Sequence, residues 1–264
     1  MAVEIINGRR VGVIRRGAGT PMLMLHCALA HRGALAPLMD ALPARSFTAF
    51  DLPGHGESAF DSTVDIQAQA IETAVSLLEI TGPIDVFGHS FGATVALKLA
   101  LERPDLVRSL FLYEPVYFSV LAQTRPEAYA ADAKASARFA KASFTQDWPT
   151  AAQAFLARWS TEGFAALTAP QQAYILKTIP LIMASEASII APESGAVVLE
   201  GLAKFKVPTQ LMTGETSPVV ISEIAEVLAT TGPSISRKTI PQAGHMGPIT
   251  HANPVAEAMH AHIS

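Results

Sequence analysis

Short apolar runs rich in β-branched and aromatic residues alternate with helically spaced segments along most of this chain. That pattern implies a largely parallel sheet with helices on both faces. Strands are expected at Val3 to Ile6, Val11 to Ile14, Met22 to His26, Phe47 to Phe50, Ile84 to Phe87, Ser109 to Tyr113, Thr209 to Thr213 and Ser236 to Ile240. Asn7-Gly8 is a two-residue hairpin signal joining the first two. Apolar residues recurring three and four apart place helices over Val64 to Glu79, Gly92 to Leu101, Ser222 to Ala229 and Val255 to His262. Thr81-Gly82-Pro83 and Arg103-Pro104 read as stop signals.

From Val116 to about Lys204 the alternation fails, leaving Ala-rich, helix-compatible sequence with no clear strand and with starts such as Asp147-Trp148-Pro149. The stretch is too long for a loop within a compact domain. The chain therefore divides into an α/β core, residues 1–115 and 205–264, and a helical insertion, residues 116–204. The insertion is expected across the carboxyl ends of the strands, where open α/β sheets bind ligands. Peripheral helices away from any site are the alternative.

Composition narrows the function. Half of the 264 residues are hydrophobic and 16% are charged, with a net charge of -4 and no run of Lys or Arg. The electrostatic footprint of a nucleic-acid or anionic-membrane partner is missing, so a small, neutral molecule is the expected substrate. No apolar stretch is long enough to cross a membrane, and Met1-Ala2-Val3-Glu4 is too acidic and mixed for a secretory leader. The single cysteine, Cys27, excludes an internal disulfide, and a cytoplasmic location is expected. Exposed apolar residues in the insertion could form a homodimer contact, although no pattern marks one.

The chemistry starts at Gly88-His89-Ser90-Phe91-Gly92, a G-x-S-x-G segment between an expected strand and an expected helix. Flanking glycines let the chain turn sharply and leave Ser90 Oγ exposed at the end of the sheet. Gln242-Ala243-Gly244-His245-Met246-Gly247 follows the last strand, where a histidine can reach that serine. Glu114, ending the strand Ser109 to Tyr113, completes the chain order Ser, acid, His that such a sheet imposes. Leu25-His26-Cys27-Ala28 and Asp51-Leu52-Pro53-Gly54-His55-Gly56-Glu57-Ser58 each follow a strand as well.

Together these four segments resemble the α/β-hydrolase fold family, with D-x-P-G-H-G-x-S the most family-specific of them. The resemblance implies a mostly parallel eight-stranded sheet flanked by helices, with residues 116–204 as a helical cap. Carried over by position, Ser90 is the nucleophile and His245 the general base, with the backbone N–H groups of Phe91 and Ala28 forming the oxyanion hole. Two departures stand out. Many members have His-Gly where this chain has His26-Cys27, and many have an aspartate in G-x-x-D where it has Gly214-Glu215-Thr216-Ser217. Ser217 occupies the acid's usual place and carries no charge. Some relatives use the end of the preceding strand instead, which makes Glu114 the first choice, Glu215 the alternative, and a triad without a carboxylate the third reading.

The function so implied is a serine hydrolase cleaving a small to medium, largely apolar carboxylic ester through an acyl-enzyme, a carboxylesterase with no cofactor and no metal. Its activity is expected to rise with pH as His245 becomes neutral, around the reference value near ~6.5. A carbon–carbon bond hydrolase or a lactonase on the same triad is the alternative, and a non-catalytic small-molecule-binding member of the fold is the other. Asp51, His55 and Glu57 read as polar groups tying down a tight loop. Cys27 reads as a small buried hydrophobe. Neither His26, Cys27 and His31 nor His251, His260 and His262 have the spacing of a zinc site. Glu186 reads as solvated. Of Trp148, Trp159, Tyr117, Phe118, Phe144 and Met183, most are expected to pack the insertion and one or two to line a pocket.

Overall fold

The structure is a computed structural model describing residues 2–79, 82–160 and 162–263, with side chains described through residue 260. Met1 of the leader reading, Thr81 of the stop signal and the His262 side chain lie outside the described residues. Eight strands form one sheet: β1 (Ala2–Ile6), β2 (Arg9–Gly17), β3 (Thr20–Leu25), β4 (Arg45–Phe50), β5 (Ile84–His89), β6 (Val107–Tyr113), β7 (Thr209–Gly214) and β8 (Ile235–Ile240). Their order is β1-β2-β4-β3-β5-β6-β7-β8. The β1–β2 and β2–β4 pairings are antiparallel and the rest parallel. The hairpin turns through Asn7 and Gly8, both at positive φ, as a type I′ turn requires.

Burial follows position in the sheet. Every residue of β5 and β7 is buried, while β1 and β8 at the edges are largely exposed and β8 carries Arg237 and Lys238. Charges on an edge strand discourage pairing with another chain. Among the strands the largest boundary difference is β2, which outruns the expected Val11 to Ile14 at both ends. Its ends are Arg-rich, so the apolar signal stops early, whereas Arg15 and Arg16 turn outward and pair with Glu4 and Asp40.

Helices Ile66–Leu78, Phe91–Glu102 and Val219–Thr231 bury their apolar stripes against one face of the sheet, and Ala36–Asp40 with Ala252–Ile263 covers the other. Asp65 caps the first of these by accepting from the Ala68 N–H. Ala36–Asp40 and Gly247–Thr250 are about one turn each, too short for periodicity to reveal. Among the described residues from Phe118 to Leu202 the regular elements are all helical. They include Pro126–Ala135, Ala137–Phe144, Trp148–Trp159, Ala169–Thr178 and Pro192–Leu202. Tyr174 ties this stretch to the sheet: its hydroxyl accepts from the Gly56 N–H at 2.9 Å and donates to the Ala30 carbonyl at 2.6 Å.

Candidate active site

The G-x-S-x-G segment makes its turn where β5 ends and helix Phe91–Glu102 begins. Ser90 has φ 56° and ψ −117°, a strained conformation for a residue with a side chain. Its N–H donates to the Tyr113 carbonyl at 2.9 Å and its carbonyl accepts from the Ala93 N–H at 3.0 Å, so backbone bonds on both sides hold the strain. The two glycines are required by contact. A Cβ on Gly92 would lie 2.4 Å from the His26 carbonyl oxygen, and one on Gly88 would lie 2.4 Å from the Gly92 carbonyl oxygen.

His245 lies between Ser90 and Glu114. Its Nε2 is 2.9 Å from Ser90 Oγ and its Nδ1 is 2.6 Å from Glu114 Oε2. A carboxylate can only accept, so Nδ1 carries the proton and Nε2 is left to accept from the serine hydroxyl. Glu114 is fully buried at the end of β6, itself at positive φ. Its other oxygen accepts from the Gly214 N–H at 2.6 Å and from the Ser217 hydroxyl at 2.5 Å. Ser217, standing where the G-x-x-D pattern has its aspartate, thus donates to the glutamate that meets the histidine. Glu215 is exposed, and its carboxylate accepts from the Gln242 N–H at 2.8 Å, away from His245. Ala28 and Phe91 line the same cavity as Ser90 and His245. Phe91 is the first residue of its helix, so its N–H has no intrahelical partner.

Neighbouring side chains brace this arrangement. His89 Nε2–H donates to the His245 carbonyl at 2.7 Å, and the Tyr113 hydroxyl donates to the Gly244 carbonyl at 2.8 Å. Burial, reinforced by His245, pushes His89 down to about 3. His26 Nε2 accepts from the Leu52 N–H and His55 Nε2 from the Leu29 N–H, so both rings must be neutral to hold the loop that carries Ala28. Burial lowers both, His26 well below its ordinary value and His55 to about 4. The Asp51 carboxylate accepts from the backbone N–H groups of Arg32 and Glu57 and pairs with the Arg32 guanidinium, as a loop tie would. Cys27 is buried, and burial raises its thiol to about 12. Among the described residues no cluster of three or more His, Cys, Asp or Glu could hold a metal.

Position in the sequence indicates neither His89's role nor the setting of Trp159. The Trp159 indole lies 4.7 Å from the His245 ring, centroid to centroid, at 54°. Behind it stand Phe118 and Phe155, and the Arg158 guanidinium carbon is 4.7 Å from its centroid. Such ring contacts are worth about 0.5–1.5 kcal/mol. Trp159→Leu is accordingly expected to lower kcat by roughly twofold to tenfold. Steady-state kinetics check this; a change in KM with kcat intact would mean that Trp159 only lines the cavity.

That cavity measures about 660 Å³ and opens over Ser90 and His245 beneath the helical stretch. Its walls are mainly apolar, with Phe118, Phe139, Phe155, Trp159, Ile182 and Ile189 among them. Of the aromatic side chains flagged in the sequence, Phe118 and Trp159 line it, Tyr117 is buried among the helices and Phe144 is 87% exposed. Glu186 departs from expectation. It is half-buried in the cavity wall rather than solvated, and burial raises its carboxyl.

Residues 22–258 match the model of the alpha/beta hydrolase family. A pimeloyl-[acyl-carrier protein] methyl ester esterase of Neisseria meningitidis is 40% identical over 111 residues, 42% of each chain. The matched part thus spans under half the length of that relative. One of the same name from Xanthomonas campestris pv. campestris is 27% identical over 94% of this chain and 96% of its own. Among solved structures, the epoxide hydrolase VrEH1 from Vigna radiata superposes with a TM-score of 0.74 at 17% identity, covering 99% of this chain and 96% of its own, a likeness of fold alone. Among the described residues no helix is long and apolar enough to cross a membrane.

Proposed function

The chain belongs to the alpha/beta hydrolase family, and we propose that within it this protein is a serine carboxylesterase acting on a small to medium, largely apolar ester. The observation that carries this reading is the unbroken chain Ser90 Oγ, His245 and Glu114, opening into a mainly apolar cavity. The methyl ester esterase names of the two relatives support an ester as the substrate.

In this mechanism Ser90 Oγ attacks the ester carbonyl carbon while its proton passes to His245 Nε2. The carbonyl electron pair moves onto oxygen, where the N–H groups of Phe91 and Ala28 stabilise it. Collapse breaks the bond to the alcohol, which leaves with the proton from His245. Water then attacks the acyl-Ser90 carbonyl, again giving its proton to His245; collapse breaks the bond to Ser90 Oγ, which takes that proton back from His245, and the acid departs. Glu114 keeps the imidazole in the tautomer this sequence needs and stabilises the imidazolium. Residues 116–204 act as the cap, whose aromatic side chains exclude water and hold the apolar part of the substrate.

Cys27 needs no oxidising compartment, and we place the protein in the cytoplasm. Phe144, Ile190 and Val197 are exposed apolar side chains of the insertion that a homodimer contact would cover. The test is a panel of medium-chain esters, lactones and diketones assayed with wild type and Ser90→Ala. Esters are expected to be the preferred substrates, with a loss of at least ~10³ in kcat on removing the nucleophile. Faster turnover of lactones or diketones, or ester turnover that survives Ser90→Ala, would overturn the assignment.

A further inference from the structure

Among the described residues, the charged and hydroxyl-bearing side chains of the cavity wall, followed one by one, are satisfied within the protein with two exceptions. The Arg158 guanidinium bonds the Asp132 carboxylate and the Ser136 hydroxyl. The Ser185 hydroxyl donates to the Ile182 carbonyl at 2.7 Å, and that of Tyr129 donates to the Ile190 carbonyl at 3.0 Å. The exceptions are Arg138 and Glu186, whose side chains have no hydrogen-bond or ion-pair partner among the described residues. Arg138 is exposed and hydrated, so its charge needs no partner. Glu186 is half-buried, and its backbone carbonyl, but not its carboxylate, is used to close the short helix Glu186–Ile189 and the turn after it.

A carboxylate withdrawn from water without a donor is unfavourable, and one facing a ligand cavity can recover that cost from the ligand. We propose that Glu186 is a specificity-determining residue, accepting a hydrogen bond from a donor on the substrate remote from the scissile carbonyl. The preferred substrates are then esters that carry a hydroxyl, amide N–H or ammonium at the far end of an apolar chain. This inference rests on the ester reading. The Phe and Ile side chains of the cavity bind the chain, and Glu186 selects what terminates it. A site built to bond a donor discriminates against an analogue that lacks one, because the acceptor is then left unpaired.

The test compares methyl esters of ω-hydroxy, ω-acetamido, ω-ammonio and ω-methoxy acids of matched length, from four to eight carbons. A parallel set places the same end groups on the alcohol side, as acetates. The readout is the ratio of kcat/KM for each donor-bearing ester to its methoxy analogue within one enzyme, so that a general loss of activity cancels. Wild type is expected to favour the donors by about tenfold at one chain length. That ratio should approach one in Glu186→Leu and take an intermediate value in Glu186→Gln, which keeps an acceptor but loses the charge. The ammonio arm shows whether charge adds to the donor. Comparable ratios in wild type and both variants, or a wild type that turns over all esters without preference, would overturn the role of Glu186 alone. A wild type that hydrolyses none of them would overturn the ester reading and this inference with it.

Discussion

Replacing Glu114 by glutamine is expected to lower kcat by about three to four orders of magnitude, while Glu215→Gln leaves it within about twofold of wild type. Glu114 is fully buried and holds the His245 Nδ1–H at 2.6 Å. An amide in its place can present its N–H₂ to the ring, and His245 would then carry its proton on the nitrogen facing Ser90, where it cannot accept. In a well-studied triad the equivalent neutral replacement costs on the order of 10⁴ in kcat with the geometry intact. Glu215 reaches only the Gln242 N–H. Single-turnover rates on an activated ester for both variants check this, since they report acylation directly. A large loss in Glu215→Gln with little in Glu114→Gln would exchange the two assignments.

Acid is expected to destabilise the fold well before the carboxylates titrate. His26, His55 and His89 are buried and neutral, and burial lowers each below its ordinary value, to about 4 for His55 and about 3 for His89. The unfolded chain takes up protons near ~6.5 that the folded chain refuses. Stability is therefore fullest above about pH 6.5 and falls with pH until the folded values are passed. Each histidine contributes a slope of up to about 1.4 kcal/mol per pH unit. Three of them acting between about pH 6 and 4.5 remove several kcal/mol from a typical total of about 5–15 kcal/mol. Asp85 belongs to a lower window. Burial pushes its carboxyl up, but bonds from Arg108, Ser109 and Arg45 outweigh this and hold it below the carboxylate range. Its contribution is present above the ordinary carboxylate value and disappears as pH falls below it.

The expected Tm is lower by about 10 °C or more at pH 5 than at pH 7. His55→Asn should lower stability at pH 7 and flatten the pH dependence, because it removes one of the groups that must be charged on unfolding. Denaturant titrations at a series of pH values check both. A Tm unchanged between pH 7 and 5 would mean that these rings are protonated in the folded protein. That outcome would also contradict the bonds that Leu29 and Leu52 give to His55 and His26.

Much of the sheet was legible because its strands are buried on both faces and read as continuous apolar runs. β5 and β7 are the clearest cases. The ends of β2 are not legible because half of the strand faces water with arginines, and a period of two carried by charged residues is hard to distinguish from a loop. Ser90, His245 and Glu114 could be singled out because Ser90 and Glu114 directly follow β5 and β6 and His245 stands in the loop after β8, and position after a strand is a local property. The setting of Ser217 could not be read. Its hydroxyl donates across more than a hundred residues of sequence to Glu114, a tertiary contact that leaves no local signal in the sequence. The same holds for Trp159 on His245 and for Glu186 in the cavity wall. Helical periodicity says that a residue lies on a helix, but the insertion's helices are short, and their apolar faces do not determine which side meets the sheet.

The central claim, an activated Ser90 paired with His245, is tested most directly by the intact mass of purified protein after exposure to a fluorophosphonate. Ser90→Ala and His245→Ala are run in parallel. One stoichiometric adduct on the wild type and none on either variant is the predicted result. No adduct on folded wild type, or an adduct that persists in Ser90→Ala, would contradict it.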